Sequence, residues 1–217
     1  PHLAVLLESI AANYDHIRQV VDGNPVMRVI NQLSHRRRRN SRSGSRKNIH
    51  AHYDLGNAFY AAWLDPTMTY SSARFAAPDH DLAAAQTRKY AALARMMDLQ
   101  PGQTVLEIGC GWGGFAEYAA REIGAHVTGV TISQEQHDFA RRRLFEAGLA
   151  DRTDIRMLDY RDVEGRFDRV ASIEMFEAVG KEYWPAYFDK IREILVPGGR
   201  AGLQIITIQD ALFEDYN

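Results

Sequence analysis

The sequence predicts a doubly wound α/β fold, and three observations carry that prediction. From about residue 79 short apolar runs alternate with helical stretches of ten to fifteen residues, a glycine-rich turn joins the first such run to a helix, and "PGG" at 197–199 precedes the last run. Strands separated by helices of that length require right-handed crossovers, which make the sheet parallel and cover both its faces. With 217 residues, 46% of them apolar, the chain has material for one sizeable domain plus an appendage.

Taken in order, residues 3–35 hold helical patches such as "LAVLLESIAANYDHI", and "RRRRNSRSGSRKN" reads as a flexible connector. This places a helical and basic segment at 1–47 and the main domain at 48–217. A helix is predicted through 82–99, a turn at Pro101–Gly102, a strand at "TVLEIG" (104–109) and a helix at about 114–123. Strand "HVTGVT" (126–131), a helix from Ser133 to about Ala147, and strands "TDIRMLD" (153–159) and "FDRVASI" (167–173) follow. A helix near 181–195 and strand "RAGLQIITI" (200–208) complete the series. Ser133, with Gln136 three residues later, has the spacing of a capping box. No repeat of solenoid length occurs, so the repeated unit is the crossover itself.

The formal charge of −2 hides an asymmetry: between Asp22 and Asp54 there is no acid, while eight basic residues fall there, most of them from Arg36 to Lys47. Such a block is either solvated chain or a surface for phosphates, as in lipid headgroups or nucleic acid. No run of eighteen apolar residues exists to span a membrane, and no charged-then-apolar leader is visible. The single cysteine, Cys110, cannot pair within the chain, which agrees with a reducing compartment and a cytoplasmic address. No metal site is expected.

In "VLEIGCGWGG", Gly109, Gly111 and Gly113 allow a tight strand-to-helix turn and let a ligand approach bare backbone. A dinucleotide site wants an acid about twenty residues further on, and "GVTIS" has none. The spacing Glu107-x-Gly109-x-Gly111-x-Gly113 resembles instead the first motif of Rossmann-like class I methyltransferases that use S-adenosylmethionine. A second segment, "HYDLGNAFYAAWLDPTMTYSSARF" (52–75), packs six aromatic residues into a stretch of neither helical nor strand period.

These two stretches, with "GVTISQEQHDFARRR", "DYRDVEGRFDRVASIEMFEAVG" and "YFDKIREILVPGGRAGLQIITI", closely resemble the cyclopropane-fatty-acyl-phospholipid synthase family, which includes the mycolic acid cyclopropane synthases. The resemblance implies that Tyr70 and Ser71 close over S-adenosylmethionine. Glu107, Gly109, Cys110, Gly111 and Gly113 would form its glycine-turn seat, Thr131 and Gln136 would reach ribose and adenine, and Tyr160 and Arg161 would flank the base. The aromatic segment would be a lid over the cofactor and over the mouth of an acyl-chain channel. Ordinary packing remains the alternative use of Phe59, Tyr60, Trp63 and Phe75.

The implied reaction attaches the sulfonium methyl carbon to a cis double bond of a phospholipid acyl chain, giving a cyclopropane or methyl-branched lipid. A proton must then leave, and bound bicarbonate is the family's candidate base, held at positions matching Glu177, Ser72, Gln204 and Ile206. Glu177 is the first choice for a catalytic acid, and Glu174 competes with it on the same segment. Three positions depart from the family pattern: Ser72 stands for a cysteine, Gln204 for a histidine, and Ala178 for a histidine that often follows the glutamate. Serine and glutamine still donate hydrogen bonds but supply no titrating thiol or imidazole.

The chain stops at "DALFEDYN", leaving "GLQIITI" as an apolar edge strand. The family's C-terminal strands, its last tyrosine and most of a small leading domain are therefore expected to be missing. Expected partners are unsaturated phospholipid acyl chains and, through Arg36–Lys47, the anionic inner face of a membrane, with a homodimer as a candidate assembly. The rival to the enzymatic reading is a non-catalytic relative that binds cofactor or lipid as a partner subunit. Nucleic acid is excluded as a substrate, because the chain lacks an Asn-Pro-Pro-Tyr type of motif and its one cysteine lies in the cofactor loop.

Overall fold

Five parallel strands form one sheet in the order β3-β2-β1-β4-β5. They are β1 (Thr104–Ile108), β2 (His126–Thr131), β3 (Thr153–Met157), β4 (Phe167–Ile173) and β5 (Leu195–Gln204). This computed structural model describes residues 2–14, 56–76 and 81–209. The chain parts into two units, residues 1–39 and 40–217. In the first, helix α1 spans His2–Ala12, with Val5, Leu6 and Ile10 exposed. The expected connector and the Arg36–Lys47 block lie outside the described residues.

In the second unit the helices are α2 (Gly56–Ala61), α3 (Leu82–Met97), α4 (Gly114–Tyr118), α5 (Gln134–Glu146) and α6 (Trp184–Ile194). The strands alternate their faces, as period two demands. Val105 and Val127 join Leu93, Met97, Phe115 and Leu144 in one core cluster. Leu106, Ile108 and Val130 join Val170, Tyr187, Ile191 and Ile194 in the other. Both faces are thus buried, which explains the near-continuous apolar runs of the central strands.

Each helix boundary has a local cause. Asp81 caps α3 by accepting from Ala84 N at 3.1 Å, and Asp98 ends it in the left-handed region at φ 53°. Ser133 caps α5 through Gln136 N at 3.3 Å, but the reciprocal half of the expected capping box is absent. The Gln136 carboxamide oxygen instead accepts from Thr131 Oγ1 at 2.9 Å, and Ser133 N donates to that same hydroxyl at 3.2 Å.

Three element boundaries differ from expectation. The helix at 114–123 is α-helical only to Tyr118 and then widens into a π-helix over Ala119–Ile123, where Gly124 N–H closes on Ala119 O. β3 stops at Met157 because Asp159 turns to accept from Arg161 N at 3.0 Å, forming a short 3-10 turn at Tyr160–Asp162. β5 begins at Leu195, not Arg200, and absorbs Pro197–Gly199 as an irregularity: Phe167 pairs with Leu195, then Arg169 with Arg200. Its pairing ends where Glu174 N donates to Gln204 O at 2.9 Å. No helix among the described residues is long and apolar enough to cross a membrane.

Candidate active site

Parallel strands deliver their C-terminal ends to one side of the sheet, and ligands of such folds bind there. Here that end opens into a cavity of about 890 Å³, within the roughly 300–1,000 Å³ usual for small-molecule sites. Its floor is the turn after β1. Gly109 and Gly111 have φ of 76° and 52°, and a Cβ on Gly111 would meet nothing within 4 Å, so bare backbone faces open space. A Cβ on Gly109 would strike Met175 Cγ at 2.8 Å.

Beneath the turn Glu107 is 3% exposed, and its Oε2 is buried without a hydrogen-bond partner. Desolvation pushes this carboxyl well above its usual range, against the Ala116 N–H and the positive charges of Lys89 and Arg143. An orphaned acceptor beside bare backbone suits a ligand that brings its own donor or positive charge. Thr131 and Gln136, both buried, line the wall at the end of β2. Tyr160 and Arg161 line it at the end of β3, where Asp159 accepts from Arg161 Nε at 2.9 Å and Nη2 at 2.6 Å. That pairing pushes the Arg161 guanidinium still higher, and burial does the same to the Tyr160 phenol.

Residues 56–75 of the aromatic segment form the roof. Tyr60, 3% exposed, sits 4.9 Å from Trp112 and 5.6 Å from Tyr70, ring centre to ring centre, and Trp63 lies 5.5 Å from Tyr70. Trp63 and Tyr70 reach the cavity wall, whereas Phe59 and Phe75 are exposed and do not line it. Arg143 on α5 ties this roof down, with Nη1 donating to Thr67 O at 2.6 Å and Nε to Glu117.

Just past the end of β4, the strand that pairs with β1, stand two acids. Glu174 Oε1 accepts from Ser72 N at 2.8 Å and from Gln204 Nε2 at 2.8 Å. Glu177 Oε1 accepts from Ile206 N. The structure therefore draws together Tyr70, Ser71, Ser72, Glu107, Gly109, Cys110, Gly111, Thr131, Gln136, Tyr160, Arg161, Glu177 and Ile206 around one cavity. Gly113 and Gln204 stand outside the lining: Gly113 lets α4 pass Ala140, whose Cβ its own Cβ would meet at 3.1 Å, and Gln204 sits behind Glu174. Cys110 is buried within the turn, and desolvation raises its thiol well above the usual range, which disfavours the thiolate.

Sequence reasoning missed Lys89. It is 5% exposed and donates to Ser71 Oγ at 2.5 Å, while Gln86 Nε2 donates to Ser71 O at 2.9 Å. Burial lowers the Lys89 ammonium to about 8, against the pull of Glu174, Asp65 and Glu107. The signal was present, because Gln86 and Lys89 fall in helical phase with the buried Leu93 and Met97. Among the described residues no group of His, Cys, Asp and Glu could hold a metal ion.

The parallel sheet with a glycine turn after its first strand is the Rossmann-like class I methyltransferase fold, shared with solved cyclopropane synthases. The sequence model of mycolic acid cyclopropane synthetase matches residues 40–214, and the chain belongs to that family. It is 47% identical over 175 residues to the tuberculostearic acid methyltransferase UfaA1 of Mycobacterium tuberculosis, covering 77% of this chain and 41% of that protein. It is 45% identical over 148 residues to the cyclopropane-fatty-acyl-phospholipid synthase of Escherichia coli K12, covering 68% and 37%. The chain thus spans about two fifths of the length of these curated relatives. Among solved structures, the mycolic acid cyclopropane synthase CmaA1 complexed with SAH and CTAB superposes with a TM-score of 0.69 at 32% identity, covering 73% of this chain and 55% of that one.

Proposed function

We propose that this chain belongs to an enzyme that transfers the methyl carbon of S-adenosylmethionine to the double bond of an unsaturated phospholipid acyl chain. The observation that carries this reading is the cavity itself, which runs from a bare glycine turn to a pair of acids between apolar walls that include Met68, Leu82, Ile173 and Val179. When bound, the sulfonium supplies an electrophilic carbon.

The residues of the chain do the rest. Gly109 and Gly111 let the donor approach backbone, and Glu107 Oε2 gives it a buried acceptor. Thr131, Gln136, Tyr160 and Arg161 form the side of the seat that suits a nucleoside. Trp63 and Tyr70 stand over the cavity, where an alkene must outcompete water to reach the electrophile. Glu177, tied to Ile206 N, closes the wall on the β5 side. Loss of one proton from the alkylated chain yields a cyclopropane or a methylene branch. A saturated methyl branch needs a reductant in a separate step.

Outside the described residues, the Arg36–Lys47 block would hold the protein at an anionic bilayer, at about 1 kcal/mol for each basic residue near the surface. Binding to anionic vesicles that is unchanged by high salt would remove this part of the reading. For the reaction, mass spectrometry of lipids from cells making the protein should show a gain of one methylene on monounsaturated chains. The gain should vanish with Gly111→Val, which fills the donor seat. Lipids unchanged by the native protein overturn the assignment.

A further inference from the structure

The geometry points to Glu174 as a built-in catalytic base: the carboxylate that takes the proton released when the new carbon–carbon bond forms is part of the chain and need not be a diffusible anion. This deepens the functional reading above and rests on it. Glu174 lines the cavity, and its backbone sits at φ 47°, in the left-handed region that a side-chain-bearing residue enters only under strain. Such strain persists where surrounding contacts over-determine it, and here they are visible. Glu174 N is held by Gln204 O, and Oε1 is held by Ser72 N and by Gln204 Nε2. Gln204 Nε2 also donates to Ser72 O at 3.3 Å, so the roof segment and β5 meet on this one side chain.

Two consequences follow from which oxygen is bound. Ser72 N and Gln204 Nε2, donors that could hold an external anion at this wall, are already spent on Oε1. Oε2 has no hydrogen-bond partner among the described residues and stays available on a residue that lines the cavity. A carboxylate anchored through one oxygen and open at the other is suited to accept a proton from a fixed direction. In the step, a C–H bond of the alkylated chain breaks, its electron pair forms the ring bond or the double bond of the product, and the proton goes to Glu174 Oε2. Water reaching the half-buried carboxylate after product release returns that proton to solvent. Glu177 differs in being the more exposed of the two and in meeting one backbone donor only.

The test uses the full protein that contains this chain, native and as Glu174→Gln and Glu174→Gly, glycine being the residue that the local φ suits best. Label transfer from S-adenosylmethionine to monounsaturated phospholipid vesicles is measured in buffer depleted of carbon dioxide, with and without added bicarbonate or formate. The line width of carbon-13 bicarbonate is followed in parallel. The native chain should work equally well in both buffers and leave the bicarbonate line sharp. Both variants should lose about a hundredfold or more, and Glu174→Gly alone should be rescued by the small anions and should broaden the line. A native chain that needs bicarbonate or broadens its line overturns the inference, as does Glu174→Gly at native rate without added anion. If no protein transfers label, the functional reading fails, and the line widths still decide whether Glu174 fills an anion site: broadening by Glu174→Gly alone supports it, equal behaviour overturns it.

Discussion

The two ends of the cavity are built by different physics. The donor end, from Gly109 to Gln136, rests on strands buried on both faces, and its shape follows from backbone turns backed by core side chains. The acid end, where Ser72, Glu174, Gln204 and Ile206 meet, rests on hydrogen bonds between segments far apart in the chain: 102 residues separate Ser72 from Glu174 and 30 separate Glu174 from Gln204. A site of this kind can keep its donor seat fixed by packing while its chemistry varies through a few polar side chains.

The contrast breaks most visibly at the donor end. Gly109→Ala should cost about 1–2 kcal/mol for a left-handed alanine and a further 1–3 kcal/mol for displacing Met175, because the new Cβ would lie 2.8 Å from Met175 Cγ. Urea unfolding reads this loss, and an unchanged midpoint would show the turn to be pliable. Next comes the tie between roof and core: Arg143→Ala removes charged hydrogen bonds to Glu117 and Thr67 O, expected to cost about 1.5–3 kcal/mol. Faster proteolysis between residues 62 and 76 should accompany it.

Lys89 supplies a smaller effect with a definite sign. Burial holds its ammonium near 8 in the folded chain, with Glu174, Asp65 and Glu107 as the facing charges and Tyr90 as an adjacent phenol. The unfolded chain holds that proton more tightly, so the penalty is complete below about pH 8 and is relieved as pH rises towards the model-peptide value of 10.5. Lys89→Met should therefore gain stability relative to the native chain below pH 8, and the difference should shrink as pH rises through that window. Denaturant titrations at several pH values would show this, and a constant difference would reject it. The smallest effect belongs to the acid end: Gln204→Leu removes the bonds to Glu174 and Ser72 O, at about 0.5–1.5 kcal/mol of stability. Label transfer should fall much further than stability, which is the sharpest statement of the difference between the two ends.

Much of this was legible in one dimension. The apolar runs and the helices between them specify a parallel sheet, because only strands covered on both faces read as near-continuous hydrophobic segments, and Gly109, Gly111 and Glu107 mark the ligand end of the first. What sequence could not decide lay where local rules compete. Gln136 fits a capping box, yet Thr131 is a better partner once β2 and α5 are in place. Pro197–Gly199 reads as a turn, yet β4 pairs on either side of it. The resemblance favours Glu177 over Glu174, three residues before it, and only the tertiary structure shows Glu174 held by Ser72 N and Gln204 Nε2 while Glu177 meets Ile206 N. Periodicity and glycine act within a few residues and are written in the chain, whereas which carboxylate oxygen meets Ser72 and Gln204 depends on three distant segments arriving together, and that is settled by folding alone.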